Sequence, residues 1–159
     1  MTPTLTHRIP PWASLLAFLV LVLGAGSLIG YATAPGSWYD ALDKPAFTPP
    51  NWLFGPAWTF LYICIAIAGW RVWRSRPQSR RMKIWWAQLL LNWLWSPVFF
   101  VMHLLWPAML VITLVWLCIL AFIAASWRAG DRLNAGLFLP YLAWVSFASA
   151  LNLGVAILN

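Results

Sequence analysis

The sequence predicts an all-α fold: an integral membrane bundle of five transmembrane helices, forming one domain over residues 1–159. Three observations predict it. Apolar residues make up 63% of the chain and charged residues 8%, whereas a soluble domain carries about 25% charged side chains and needs them to cover its surface. Five stretches nearly free of charge are each long enough to cross a hydrocarbon core about 30 Å thick. Nine of the ten lysines and arginines fall in segments that five crossings place on one side, the positive-inside pattern of a membrane protein. The net charge of +7 is therefore read as a topology signal, and nucleic acid is not expected as a partner.

The first helix is predicted over about residues 12–33, uncharged from Ala13 to Ile29 and flanked by Trp12 and Tyr31. A signal peptide is the competing reading, because Ala32-Thr33-Ala34 forms an A-x-A pattern. The apolar run exceeds the usual ~7–15 residues of a signal core, and Pro35 would follow the cut, so a retained helix is expected. Gly26 and Gly30 form a GxxxG spacing that admits close approach of another helix, from a second subunit or from the same bundle. They are the candidates for a dimer interface.

Residues 35–54 read as a capping loop. The stretch holds two of the three acidic residues, Asp40 and Asp43. Pro45, Pro49 and Pro50 remove backbone donors and fix φ, which forbids a long helix there. Trp38, Tyr39, Phe47 and Trp52 make it too aromatic for a flexible linker.

The second helix is expected over about 55–73, with Pro56 in its first turn, where a missing N–H costs nothing. Arg71, Arg74, Arg76, Arg80, Arg81 and Lys83 then read as a polybasic juxtamembrane loop touching anionic headgroups. The third helix is placed at about 84–105, interrupted at Ser96-Pro97, where a proline kink would open space between helices. Gln88, Asn92 and Ser96 lie at i, i+4 and i+8 on one face, with Trp85, Trp95 and Phe99 nearby. Polar groups in a spanning helix need partners, so this stripe should face the interior, either as interhelical glue or as the polar side of a cavity. His103 to Pro107 reads as a turn with His103 at a helix end. The fourth helix, about 108–127, reads as scaffold. A short loop carrying Asp131 leads to the fifth, about 133–158.

No carboxylate falls inside a predicted helix and the chain has no glutamate. Proton-coupled transport generally needs intramembrane ionisable groups, so that class is disfavoured. Walker, GxGxxG, HExxH and GxSxG motifs are missing, and with them visible machinery for hydrolysis or metal-assisted catalysis. No metal site is expected. Cys64 and Cys118 lie in apolar runs without CxxC spacing or histidine partners and read as small buried hydrophobes. The helices offer indole, phenol, amide and hydroxyl groups instead, which suit a flat, largely apolar ligand oriented by a few hydrogen bonds.

Three separated motifs carry a resemblance. Trp38-Tyr39-Asp40-Ala41-Leu42-Asp43-Lys44-Pro45 with Pro49-Pro50-Asn51-Trp52 and Pro56-Ala57-Trp58-Thr59-Phe60-Leu61-Tyr62 forms the first. Gln88 to Asn92 with Trp95, Pro97, Phe99 and Phe100 forms the second. Pro140-Tyr141, Trp144 and Leu151-Asn152 form the third. Over roughly residues 15–155 the chain resembles the tryptophan-rich sensory protein/translocator protein family, also called the peripheral-type benzodiazepine receptor family. The resemblance implies a five-helix bundle, often dimeric, whose cavity is capped by the first loop. That cavity binds porphyrins and isoquinoline- or benzodiazepine-type ligands.

The ligand-binding candidates are Tyr39, Trp58, Asn92 and Trp144 by motif match, with Trp38, Tyr62, Gln88 and Trp95 beside them. The family's proposed sterol pattern needs a Lys or Arg shortly after a Tyr. The chain has none after Tyr141, so cholesterol transport is not carried over. The implied function is a membrane receptor for protoporphyrin IX, haem and other flat lipophiles, with a regulatory role in tetrapyrrole metabolism or stress sensing. No obligatory cofactor is implied, since the porphyrin is a ligand. One alternative is a light- and oxygen-dependent porphyrin-degrading enzyme with Trp38 and Trp144 as candidate participants; the other is a transporter. The expected setting is a bacterial inner membrane, with the N-terminus cytoplasmic and the C-terminus outside, as a homodimer.

Overall fold

The computed structural model describes residues 10–159; Arg8, one of the nine basic residues assigned to one side of the membrane, lies outside them. Five long helices are each apolar and long enough to cross a membrane. They are α1 (Pro11–Ala32), α3 (Phe54–Ser75), α4 (Arg80–Ser96), α5 (Leu105–Arg128) and α6 (Arg132–Leu158). A short helix α2 (Ser37–Ala41) and a 3-10 turn (Asn51–Leu53) lie in the loop between α1 and α3. Helix α1 packs along α3, α3 against α6, α6 along α5 and α5 along α4; α4 reaches back to α3 and α1 and completes the ring.

Helix α4 starts several residues before the expected position, at Arg80. Ser79 caps it by accepting a hydrogen bond from the Met82 N–H (3.3 Å), which satisfies one of the orphan donors of a first turn. Basic charge marks the membrane boundary but does not prevent helix formation, so Arg80, Arg81 and Lys83 begin the helix and do not end a loop.

The far end of α4 is also shorter than expected. Pro97 cannot donate to the preceding turn, and residues Pro97–Val101 form a single π-helical turn. The Met102 N–H reaches back five residues to the Pro97 carbonyl (2.9 Å). His103 then takes a left-handed conformation, φ 57°, and reverses the chain so that α5 begins at Leu105, inside the stretch read as a turn.

The core lies in the basic half of the bundle and its middle. Trp85, Leu89, Phe122, Phe138 and Tyr141 are fully buried there, with the Phe122 and Phe138 rings stacked at 4.1 Å. The Trp85 indole donates to the Ile65 carbonyl (2.9 Å), so this large side chain is buried with its polar atom satisfied. At the basic end, Asp131 caps α6 through the Asn134 N–H (3.3 Å). The same carboxylate receives Arg81 (3.0 Å) and Arg71 (3.4 Å). Burial alone would raise the Asp131 pKa. The Asn134 N–H and the two guanidiniums outweigh it and hold the carboxyl below its ordinary range.

At the opposite end the loop is packed down. Lys44 donates to the carbonyls of Asp40 (3.0 Å) and Leu42 (3.1 Å) at the end of α2, where a cation offsets the exposed carbonyl dipoles. The Asp43 backbone exchanges two hydrogen bonds with the Asn159 side chain, at 3.1 and 3.0 Å. Pro45 lies against Gly154 of α6 so closely that a Cβ there would collide with its ring.

Candidate functional site

In the half of the bundle away from the basic cluster, α1, α3, α4 and α6 enclose a cavity of about 360 Å³. That lies in the range of small-molecule pockets. Helical spacing builds its walls. Phe54, Trp58 and Tyr62 recur every four residues on one column of α3, and the Trp58 and Tyr62 rings lie 5.3 Å apart. Asn92, Trp93, Trp95 and Ser96 contribute from α4, and Trp144 and Ala148 from α6. Helix α1 supplies Gly26 and Gly30, and its C-cap residue Thr33 lines the cavity too. No Lys, Arg, His, Asp or Glu is among the described residues that line it.

Asn92 sits at a junction of three helices. The Tyr62 hydroxyl donates to its Oδ1 (3.2 Å), and its Nδ2 donates to the Tyr141 hydroxyl (3.0 Å). One amide hydrogen and one lone pair remain uncommitted, so Asn92 is both glue and cavity wall. Higher up, the Trp95 indole donates to Asn152 Oδ1 (3.1 Å), and Asn152 Nδ2 donates to the Leu105 carbonyl (3.1 Å). This fixes the Trp95 ring across α4, α5 and α6. The Thr33 and Ser96 hydroxyls are hydrogen-bonded to each other, joining the outer ends of α1 and α4. Two wall residues, Trp93 and Trp144, keep buried indole N–H groups without a partner among the described residues. Both nitrogens are covered by surrounding atoms, so the two side chains offer the cavity ring surface and not a donor.

The cavity brings together Trp58, Tyr62, Asn92, Trp95 and Trp144 of the residues expected from sequence. Tyr39 borders an adjoining recess of about 40 Å³ with Pro35, Phe54, Trp95 and Phe100, all shared with the main cavity. Its hydroxyl pKa is raised, first by burial and then by the neighbouring Asp40 carboxylate.

Trp38 and Gln88 lie outside both spaces. Trp38 turns away from the cavity and packs on His103 and Phe99, because neighbouring positions on the α2 turn point about 100° apart. Gln88 shares the Asn92 face but sits one turn, about 6 Å, deeper in the bundle, where packing is continuous and its amide has no partner among the described residues.

Gly26 is used within the chain: it is buried against the Tyr62 ring, which occupies the space a Cβ would need. Gly30, one turn on, is exposed at the cavity wall with open space in front of it. Residues not singled out from sequence also line the cavity, chiefly Thr33, Phe54 and Trp93. The signal for Phe54 was its four-residue spacing from Trp58.

Residues 17–158 match the TspO/MBR family. The chain is similar to the tryptophan-rich sensory protein of Cereibacter sphaeroides, 40% identical over 151 residues, covering 93% of this chain and 92% of the relative. It is similar to the protein CrtK of Rhodobacter capsulatus at 38% identity, with 92% and 93% covered. The human translocator protein is 32% identical, with 90% and 88% covered. With five apolar helices, a loop packed across one end and a tryptophan-walled cavity beneath it, the chain is a member of the TspO/MBR family of membrane proteins.

Proposed function

We propose that this protein is a membrane receptor whose cavity takes up a flat lipophilic ligand of the porphyrin class, protoporphyrin IX or haem, and reports its presence in a regulatory role. The carrying observation is the cavity itself: about 360 Å³, free of charged side chains, with Trp58 and Trp144 in its walls. An aromatic macrocycle gains about 0.5–1.5 kcal/mol from each ring it packs against, beyond the area it buries. The spare amide hydrogen and lone pair of Asn92 orient it. Its carboxylates project towards the loop end, since the cavity offers them no cation. Isoquinoline- and benzodiazepine-type molecules fit the same description. The basic residues of α3, α4 and α6 support an orientation with that end in the cytoplasm of a bacterial cell and the loop on the outer side of the inner membrane.

Quenching of tryptophan fluorescence by protoporphyrin IX in detergent tests the reading. Trp144→Ala should weaken binding about 3- to 10-fold; unchanged affinity rejects this cavity as the binding place.

A further inference from the structure

The basic end of the bundle carries a second concavity unconnected with the cavity under the loop. Trp70, Arg71, Arg74 and Ser75 lie on the last turns of α3 at positions i, i+1, i+4 and i+5. They form two neighbouring columns on one face. With Asp131 they wall a recess of about 330 Å³.

Its wall is ordered before anything binds. The Trp70 indole donates to Ser14 Oγ of α1 (3.0 Å), and the Arg74 guanidinium lies 5.8 Å from the Trp70 ring centre. Arg71 is held by Asn134 Oδ1 (3.1 Å) and Asp131 (3.4 Å). Ser75 is engaged with the Val72 carbonyl (3.1 Å) and serves only as wall.

The charge balance favours an anion. Both ion pairs among the described residues end on Asp131, whose single charge is shared by Arg71 and Arg81. Asp131 also accepts from the Asn134 backbone and side chain, so its lone pairs are committed. Arg74 has no carboxylate partner among the described residues, and Arg71 keeps its Nη1 donors. Three guanidiniums against one carboxylate leave an excess positive charge beside an indole. The recess also sits where α3 ends and α6 begins, at the limit of two spanning segments, the depth at which lipid phosphates lie. A guanidinium fork matches phosphate oxygens in pairs.

We propose that this recess is a site for the phosphate of an anionic phospholipid headgroup, held by Arg74 and Arg71 against the Trp70 ring. Arg71 and Asp131 also hold helices together, so Arg74, exposed and without a hydrogen bond or ion pair among the described residues, is the residue to change.

The full chain in neutral detergent is titrated with short-chain phosphatidylglycerol, phosphatidylcholine or inorganic phosphate while thermal unfolding is followed. Phosphatidylglycerol should raise the midpoint saturably, and the other two should leave it in place. Arg74→Gln should shift the titration about tenfold to higher lipid, the loss of one charge-assisted bond. Arg74→Lys should fall between, and Arg128→Gln, which removes an exposed charge outside the recess, should match wild type. Equal effects of Arg74→Gln and Arg128→Gln would show a general surface-charge effect and overturn the site. An equal response to inorganic phosphate would make it a free-ion site, and a response that does not saturate would leave no site at all.

Discussion

The indole of Trp38 lies face to face with the imidazole of His103, ring centres 3.9 Å apart and 16° from parallel. This pair ties α2 to the turn that follows the π-helical segment, and it exists because His103 takes φ 57°. A left-handed residue with a Cβ costs about 1–2 kcal/mol, so the ring stack is bought with backbone strain. Replacing His103 by Gly relieves the strain and removes the ring; replacing it by Ala removes the ring and keeps the strain. His103→Ala should therefore unfold about 1 kcal/mol more easily than His103→Gly. Both should lose the same near-ultraviolet dichroism from Trp38. Equal stability of the two variants would show that the conformation is not strained.

Gly26 and Gly30, one turn apart on α1, should respond oppositely to added bulk. Gly26→Leu drives a side chain into the Tyr62 ring and separates α1 from α3, at a cost of about 1–3 kcal/mol in detergent unfolding. A Cβ at Gly30 meets no atom within 4 Å, so Gly30→Leu should keep its stability while narrowing the cavity, and protoporphyrin quenching should weaken. A loss of stability in Gly30→Leu equal to that in Gly26→Leu would contradict the placement.

The bonds around Asn92 are unequal in weight. Tyr141 is fully buried, and Tyr141→Phe strands the Asn92 Nδ2 donor in the core, costing about 1–3 kcal/mol. Tyr62→Phe removes a donor at the half-buried cavity wall, where the Asn92 oxygen can meet water or ligand. A cost of about 0.5–1 kcal/mol is expected there. Equilibrium unfolding in mixed micelles orders the two; the reverse order would mean that Asn92 is oriented mainly by Tyr62.

Asp131 carries a pH dependence. Its carboxyl is depressed in the folded chain, so its contribution is complete above the ordinary aspartate value of about 3.9. That contribution is lost as pH falls through the lower folded value. Asp131→Asn should be less stable than wild type at neutral pH by about 2–3 kcal/mol, leaving Arg81 half-buried without its partner. The two proteins should converge as the buffer is acidified below pH 4. Parallel melting curves across that range would show that the ion pairs add nothing.

Much of this architecture was legible in the chain. The five spans followed from hydropathy alone, and Asn92 was marked by being an amide in an apolar helix. Pro97 announced an interruption, but not its form: a π turn closed by a left-handed histidine lacks the glycine that usually signals such an ending. The basic cluster hid the start of α4, because charge reports depth in a membrane and not backbone conformation. Gln88 matched the cavity face by periodicity, yet periodicity is silent about depth along the helix axis, and the cavity ends one turn above it. Trp38 and Tyr39 are adjacent in a loop motif, and only the α2 turn decides which of them is buried beside the cavity.

The loop over the cavity has two unequal halves. From Ser37 to Pro45 it is bound by Trp38 on His103, by Asp43 on Asn159 and by Pro45 on Gly154. From Ala46 to Leu53 it holds one Thr48–Pro45 turn and one 3-10 turn, and it leaves Phe47 54% and Trp52 71% exposed. The two prolines between them stiffen this second half, and Phe47 meets Phe147 of α6 edge to face with ring centres 6.2 Å apart. Hydrogen exchange should divide there, slow at Asp40 and Leu42, whose N–H groups are bonded to the Gly36 and Tyr39 carbonyls, and fast at Phe47 and Trp52. The roof of the cavity is thus a bolted plate carrying a lightly held flap, and the flap ends on Phe54, 5.8 Å from the Trp144 ring.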